Sequence, residues 1–153
     1  MTIIRTDSVR ATVLVIESDP LMLTAMGSVL DSNGYRVALA RTEAVAMQSI
    51  ATGSFDVIIL SIDQLDQGCE FATRLHQQPA VQDTPIVFLV PELAADWKER
   101  LSARGGVFSM LKPVDPNGLV DLVEKALWMP HLANRNSIAG SHLSSTTDWV
   151  RLD

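Results

Sequence analysis

One cysteine, Cys69, in 153 residues excludes a disulfide within the chain. A protein without a disulfide framework suits a reducing compartment, so the cytoplasm is the expected location, with Cys69 as a small half-buried filler. Long hydrophobic runs are also missing. The apolar stretches are strand-sized, far short of the roughly 20 residues of a membrane helix. The first ten residues carry no apolar core of the kind a signal peptide needs. Basic clusters are scarce too: 12 Lys and Arg face 18 Asp and Glu, for a net charge of −6. That balance argues against nucleic acid as a partner, because non-specific binding runs on clustered Lys and Arg. Neither a G-x-S-x-G elbow nor a Gly-rich oxyanion loop occurs. An enzyme built on Ser61 as nucleophile and Lys112 as base would therefore lack its supporting parts, and no catalytic residue is expected.

What is present is an ordinary globular composition, 47% hydrophobic and 20% charged, of single-domain length. Short β-branched runs predict strands over 12–16, 35–40, 57–60, 86–90 and 107–111. Four of them are near-continuously apolar, as in strands covered on both faces. Helical periods fall between them, over 20–32, 42–51, 68–77, 92–103 and 116–128. Asp19, Thr42 and Asp115 stand as N-caps, Pro20 at the first helical position, and Asn33-Gly34 and Gly53 as stops. Leu93, Trp97 and Leu101 are spaced as a core stripe on the fourth helix, although an exposed Trp97 would mark an interaction face instead. Strict alternation with short connections predicts an α/β fold, a doubly wound five-stranded parallel sheet of (βα)5 form. The domain is expected over 11–129. Residues 130–153 are polar and without helical period, which reads as a flexible C-terminal tail with Trp149-Val150 as its one apolar pair. No DNA-binding helix pair follows the domain, so a self-contained transcription factor is not expected.

In a doubly wound sheet the working site lies outside the carboxyl ends of the strands. That rule gathers Glu17, Ser18 and Asp19 after strand one, Ser61 to Asp63 after strand three, Val90 and Pro91 after strand four, and Lys112-Pro113 after strand five. The blocks Val13-Leu14-Val15-Ile16-Glu17-Ser18-Asp19-Pro20, Asp56-Val57-Ile58-Ile59-Leu60-Ser61-Ile62-Asp63, Pro85-Ile86-Val87-Phe88-Leu89-Val90 and Leu111-Lys112-Pro113 are together informative. In order and spacing, over about residues 11 to 128, they resemble the bacterial response-regulator receiver domain of two-component phosphorelay systems, a flavodoxin-like fold. In that family two adjacent acids after strand one help hold Mg²⁺. Glu17 keeps the first of these positions, Ser18 replaces the second, and Asp19 matches the helix cap. The phosphoacceptor position falls on Ser61. A Thr or Ser that bonds the phosphoryl group is replaced by Val90, and the aromatic that reports the bond is replaced by Ser109, with Phe108 one place earlier. Lys112 remains, followed by Pro113 across a bond that is often cis in the family.

The resemblance thus implies a degenerate phosphorylation pocket of Glu17, Ser18, Ser61, Val90 and Lys112. Metal binding, phosphoryl acceptance, phosphate sensing and aromatic readout each meet a different substitution. A hydroxyl cannot form an acyl phosphate, and in-line transfer depends on positioning and charge that these changes remove. The expected protein is a pseudo-receiver, a non-phosphorylatable protein-interaction module of bacterial signal transduction. Its partner would be a histidine kinase or another regulator, with a homodimer through the fourth and fifth helices as the family's habit. No cofactor is expected, and Mg²⁺ binding should be weak or absent, with Glu17, Asp19 and Asp63 as the weak candidate ligands. Two alternatives stay open: a small molecule bound in the emptied pocket, and phosphorylation at a displaced site, Asp63 or Ser61. Lys112 is expected to pair with Glu17 or reach water, or, more sharply, to contact Ser61 or Glu17 so as to fix one of the family's two states.

Overall fold

The computed structural model describes residues 9–92, 94–102 and 108–128. The proposed tail over 130–153, Trp149-Val150, Leu93 of the fourth-helix stripe and Val107 of the fifth strand lie outside the described residues. Five strands, β1 (Thr12–Ile16), β2 (Arg36–Ala40), β3 (Val57–Ser61), β4 (Ile86–Val90) and β5 (Ser109–Leu111), form one parallel sheet in the order β2-β1-β3-β4-β5. Five helices connect and close it: α1 (Pro20–Ser32), α2 (Glu43–Thr52), α3 (Leu65–His76), α4 (Ala95–Ser102) and α5 (Pro116–Trp128).

Period-two alternation divides the core cleanly. Leu14, Ile16, Ile58, Leu60, Ile86, Phe88 and Val90 point to one face, where Phe71 and Leu75 of α3 and Trp97 and Leu101 of α4 cover them. Val13, Val15, Val57, Ile59, Val87 and Leu89 point to the other face, under Leu23, Met26 and Leu30 of α1 and Leu119, Val123 and Ala126 of α5. A strand buried on both sides has no polar face to alternate, which is why β1, β3 and β4 read as continuous apolar runs. Trp97 is buried in this core. Cys69 is fully buried, deeper than the half-buried filler expected.

The caps act as the sequence implies. Asp19 accepts from Leu21 N–H at 3.0 Å and Thr42 Oγ1 from Val45 N–H at 3.1 Å. Gly34 ends the α1 turn with φ of 92°, a left-handed backbone that suits glycine. Element edges shift by one residue at both ends of α2 and at the carboxyl ends of β3 and α3, and differ from expectation in four further places. Tyr35 precedes β2, which starts at Arg36, although its side chain is buried. Helix α3 starts at Leu65, three residues before the expected Gly68, because the half-buried Leu65 belongs to its apolar stripe while Gln64 supplies no side-chain cap to announce it. Helix α4 starts at Ala95, later than the expected residue 92. Strand β5 spans three residues, but Phe88 N–H still donates to Phe108 O at 2.8 Å, so pairing with β4 extends one residue before it. No helix among the described residues is long and apolar enough to cross a membrane.

Candidate functional site

Strand order reverses at β1: β2 lies on one side of it and β3 on the other, in register Val13 with Val57 and Ile16 with Leu60. The crevice of a doubly wound sheet opens there, at the carboxyl ends. Glu17 follows β1 directly, held by its N–H to Ala40 O at 3.0 Å, and is only 6% exposed. Its Oε2 accepts from Asp19 N–H at 2.9 Å. Asp19 in turn uses its carboxylate to cap α1, and Ser18 between them is exposed.

Ser61 closes β3 beside Leu89 of β4. Its Oγ is buried and has no hydrogen-bond partner. Leaving such a group unpaired costs on the order of 1–3 kcal/mol. Ile62 N–H continues the ladder to Leu89 O at 2.8 Å and turns its side chain into the core. There it packs against Gly68 so closely that a Cβ on the glycine would lie 2.6 Å from Ile62. The chain then leaves Asp63 outside, 73% exposed at its side chain.

Val90 ends β4 fully buried, and Lys112 N–H donates to its carbonyl at 2.8 Å. The Lys112–Pro113 peptide is cis. The lysine side chain departs from expectation: Nζ pairs with Asp63 Oδ1 at 2.9 Å, and not with Glu17 or Ser61. Sheet order gives the reason. β4 lies between β3 and β5 and ends in a valine with no polar group, so the amine passes over it to the first exposed carboxylate of the β3–α3 turn. Phe108 is buried among the residues of the α1 and α5 face, while Val90 belongs to the opposite face.

Glu17, Ser18, Ser61, Val90 and Lys112 are therefore gathered at one edge, but the acids are not gathered around a point. Among the described residues no three His, Cys, Asp or Glu side chains converge as a metal site. Glu17 is held by an N–H, Asp19 caps a helix and Asp63 is bound to Lys112, so this donor set does not fit Mg²⁺ as it stands.

A cavity of about 240 Å³ opens on the β2 side of this edge, lined by Glu17, Ser18, Arg41, Thr42, Ser61, Asp63, Gln64, Gln67 and Phe71 among others. Val90 and Lys112 do not line it. Arg41 Nε donates to Ser18 O at 3.4 Å. The ends of β1, β3, β4 and β5 are the site elements legible in the sequence, and the loop after β2 is a further one that the structure adds. Arg41, next to the Thr42 cap, is its local signal.

Comparison with known proteins agrees with this architecture. The model of the response regulator receiver domain matches residues 13–124, and the chain belongs to that family, the receiver domains of two-component signalling. It is 30% identical over 125 residues to the transcriptional regulatory protein GlrR of Escherichia coli K12, covering 76% of this chain and 26% of that protein. It is 26% identical over 113 residues to the signal transduction histidine-protein kinase BarA of the same organism, covering 73% of this chain and 12% of the kinase. The chain thus spans about an eighth to a quarter of these relatives. Among solved structures, the chemotaxis response regulator CheY4 of Vibrio cholerae superposes with a TM-score of 0.70 at 26% identity, covering 76% of this chain and 98% of that one. A CheY-like receiver from Methanospirillum hungatei gives 0.69 at 19% identity, covering 78% and 95%, a likeness of fold.

Proposed function

We propose that the chain is a pseudo-receiver: a non-catalytic protein-interaction module that works without aspartyl phosphorylation and without a bound metal. The observation that carries this reading is the pairing of Lys112 with Asp63 while Ser61, in the acceptor's place, holds a buried hydroxyl with no partner. A lysine that would stabilise a phosphoryl group is engaged elsewhere, and the side chain beside it offers no carboxylate. Relatives named as a histidine kinase and a transcriptional regulator support a partner in two-component signalling, of kinase or regulator type. Leu111 on β5, 47% exposed, is consistent with a homodimer that uses β5 and the helices flanking it. The acidic composition and the absence of basic clusters favour a protein partner in the cytoplasm over nucleic acid.

One observation favours a second reading. Asp63 is an exposed carboxylate already 2.9 Å from Lys112, so it has the reach of a displaced acceptor. Incubation with acetyl phosphate and Mg²⁺, followed by intact-mass measurement, separates the two. We expect the mass to stay unchanged. An acid-labile adduct that disappears in Asp63→Asn would establish the displaced acceptor and overturn the phosphorylation-independent reading. An acid-stable phosphate on Ser61 would make that hydroxyl a phosphorylation site instead.

A further inference from the structure

The cavity on the β2 side has a charge pattern of its own. Three carboxylates line it, but two are neutralised in place: Asp63 by Lys112 at 2.9 Å and Glu43 by Arg74 at 3.1 Å. Glu17 is the exception. Almost fully buried, it receives only the Asp19 N–H and forms no ion pair among the described residues. A buried carboxylate without a counter-ion is costly unless something charged or strongly hydrogen-bonding meets it. On the same wall Arg41 uses Nε for a 3.4 Å bond to Ser18 O, and its terminal nitrogens make no bond among the described residues. One unneutralised carboxylate and one guanidinium with donors to spare therefore look into the same space. Phe71 lines it too, together with the amide of Gln67 and the unpartnered hydroxyl residue Ser61.

We propose that this cavity binds a small zwitterion of the α-amino-acid class, its ammonium on Glu17 and its carboxylate on Arg41. Guanidinium recognises a carboxylate in bidentate fashion, and a carboxylate shielded from water holds an ammonium well. A volume of about 240 Å³ is below the roughly 300–1,000 Å³ of sites for drug-sized ligands, which limits the occupant to a metabolite of amino-acid size. Gln64 and Gln67 supply amides that suit a short polar side chain, and Phe71 an apolar contact. The site lies beside the degenerate phosphorylation pocket, shares Glu17, Ser18 and Ser61 with it, and leaves Val90 and Lys112 out. An occupant would touch the β2–α2 loop and the first turn of α3, so binding would bias the surface these elements present.

The inference rests on the proposed function in one respect, that Glu17 is free of Mg²⁺. The test is titration of the full chain with each proteinogenic L-amino acid in turn, followed by backbone amide shifts and melting temperature. At least one should give saturable shift changes confined to residues 17–18, 41–43 and 61–68. The amine lacking its carboxylate and the acid lacking its amine should each bind at least roughly tenfold more weakly. Arg41→Ala and Glu17→Gln should each cost at least roughly tenfold in affinity. Should Glu17→Gln fail to fold, Arg41→Ala, at an exposed position, decides the matter alone. No saturable response from any amino acid overturns the proposal, and so does equal binding by the bare amine. Titration with Mg²⁺ alone keeps the two readings apart. Saturable Mg²⁺ binding at Glu17 would overturn the metal-free reading, whereas silence towards amino acids overturns only this site.

Discussion

Two buried side-chain oxygens among the described residues have no hydrogen-bond partner, Ser61 Oγ and Tyr35 Oη, and they differ in their surroundings. Ser61 belongs to the lining of a cavity at the carboxyl edge, although its Oγ is itself buried. Tyr35 is enclosed at the opposite edge, with the Arg10 guanidinium stacked 4.9 Å above its ring and Arg10 itself paired to Glu124 at 2.6 Å. Burial pushes the Tyr35 hydroxyl above its ordinary value of 10.0, and the nearby Arg10 charge opposes the shift. A raised pKa means that the neutral phenol is favoured in the folded state. The associated stability is whole below pH 10.0 and is lost as pH climbs through the higher folded value. Removing an unpaired hydroxyl from an apolar site is near neutral or stabilising, by up to about 1 kcal/mol. Tyr35→Phe should therefore match or exceed the parent in urea melts at neutral pH, and should lose less stability above pH 10.0. Clear destabilisation at neutral pH would mean that the hydroxyl has a partner after all.

At the scale of elements, the turn from β3 into α3 is the most constrained segment of the site. A Cβ on Gly68 would come within 2.6–2.7 Å of three atoms of Ile62, itself buried and β-branched, with little freedom to swing aside. Alanine in a helix gains up to about 1 kcal/mol over glycine, whereas overpacking a core costs about 1–3. With three contacts this short the clash outweighs the gain, so Gly68→Ala should lower stability by roughly 1–2 kcal/mol in denaturant melts. The same turn shows where the sequence stops being readable. Strands β1, β3 and β4 declare themselves through apolar runs, and α1 through Asp19 and Pro20, because these signals are local. Helix α3 does not, since Gln64 gives no capping bond and Gly68 resembles a beginning more than an interior residue. Lys112 could be placed at the edge from the β5 pattern alone. Its partner could not, because the choice between Glu17, Ser61 and Asp63 depends on which carboxylate the turn leaves exposed. Arg41 is not legible as a site residue for a related reason: its place beside Ser18 follows from β2 lying next to β1, a matter of strand order and not of local sequence.

At the scale of the whole molecule, the question is whether the proposed loss of phosphoryl chemistry would by itself account for a loss of signalling. Ser18→Asp combined with Ser61→Asp puts one carboxylate next to Glu17 in the chain and another at the end of the neighbouring strand, at the carboxyl ends of β1 and β3. The Lys112 contact with Asp63 is no obstacle, because with Asp63 73% exposed such a pair is worth no more than about 1 kcal/mol. Mg²⁺ binding and some acyl-phosphate formation from acetyl phosphate should therefore return. Transmission should not. Val90, fully buried at the end of β4, has no group to bond a phosphoryl oxygen. Phe108 cannot stand in as the moving aromatic, because its ring is packed into the α1 and α5 face while Val90 faces α3 and α4. A ligand shifts an equilibrium only by its differential contacts with the two states, and a phosphoryl group on position 61 would find none of these contacts across β4 and β5. Equilibrium sedimentation and partner pull-down of the double variant, with and without acetyl phosphate, should accordingly give the same assembly state, even where mass measurement shows the phosphate in place. A severalfold change in assembly would show that the fold carries a working relay by another route, and that serine at position 61 silences a switch that the rest of the molecule still possesses.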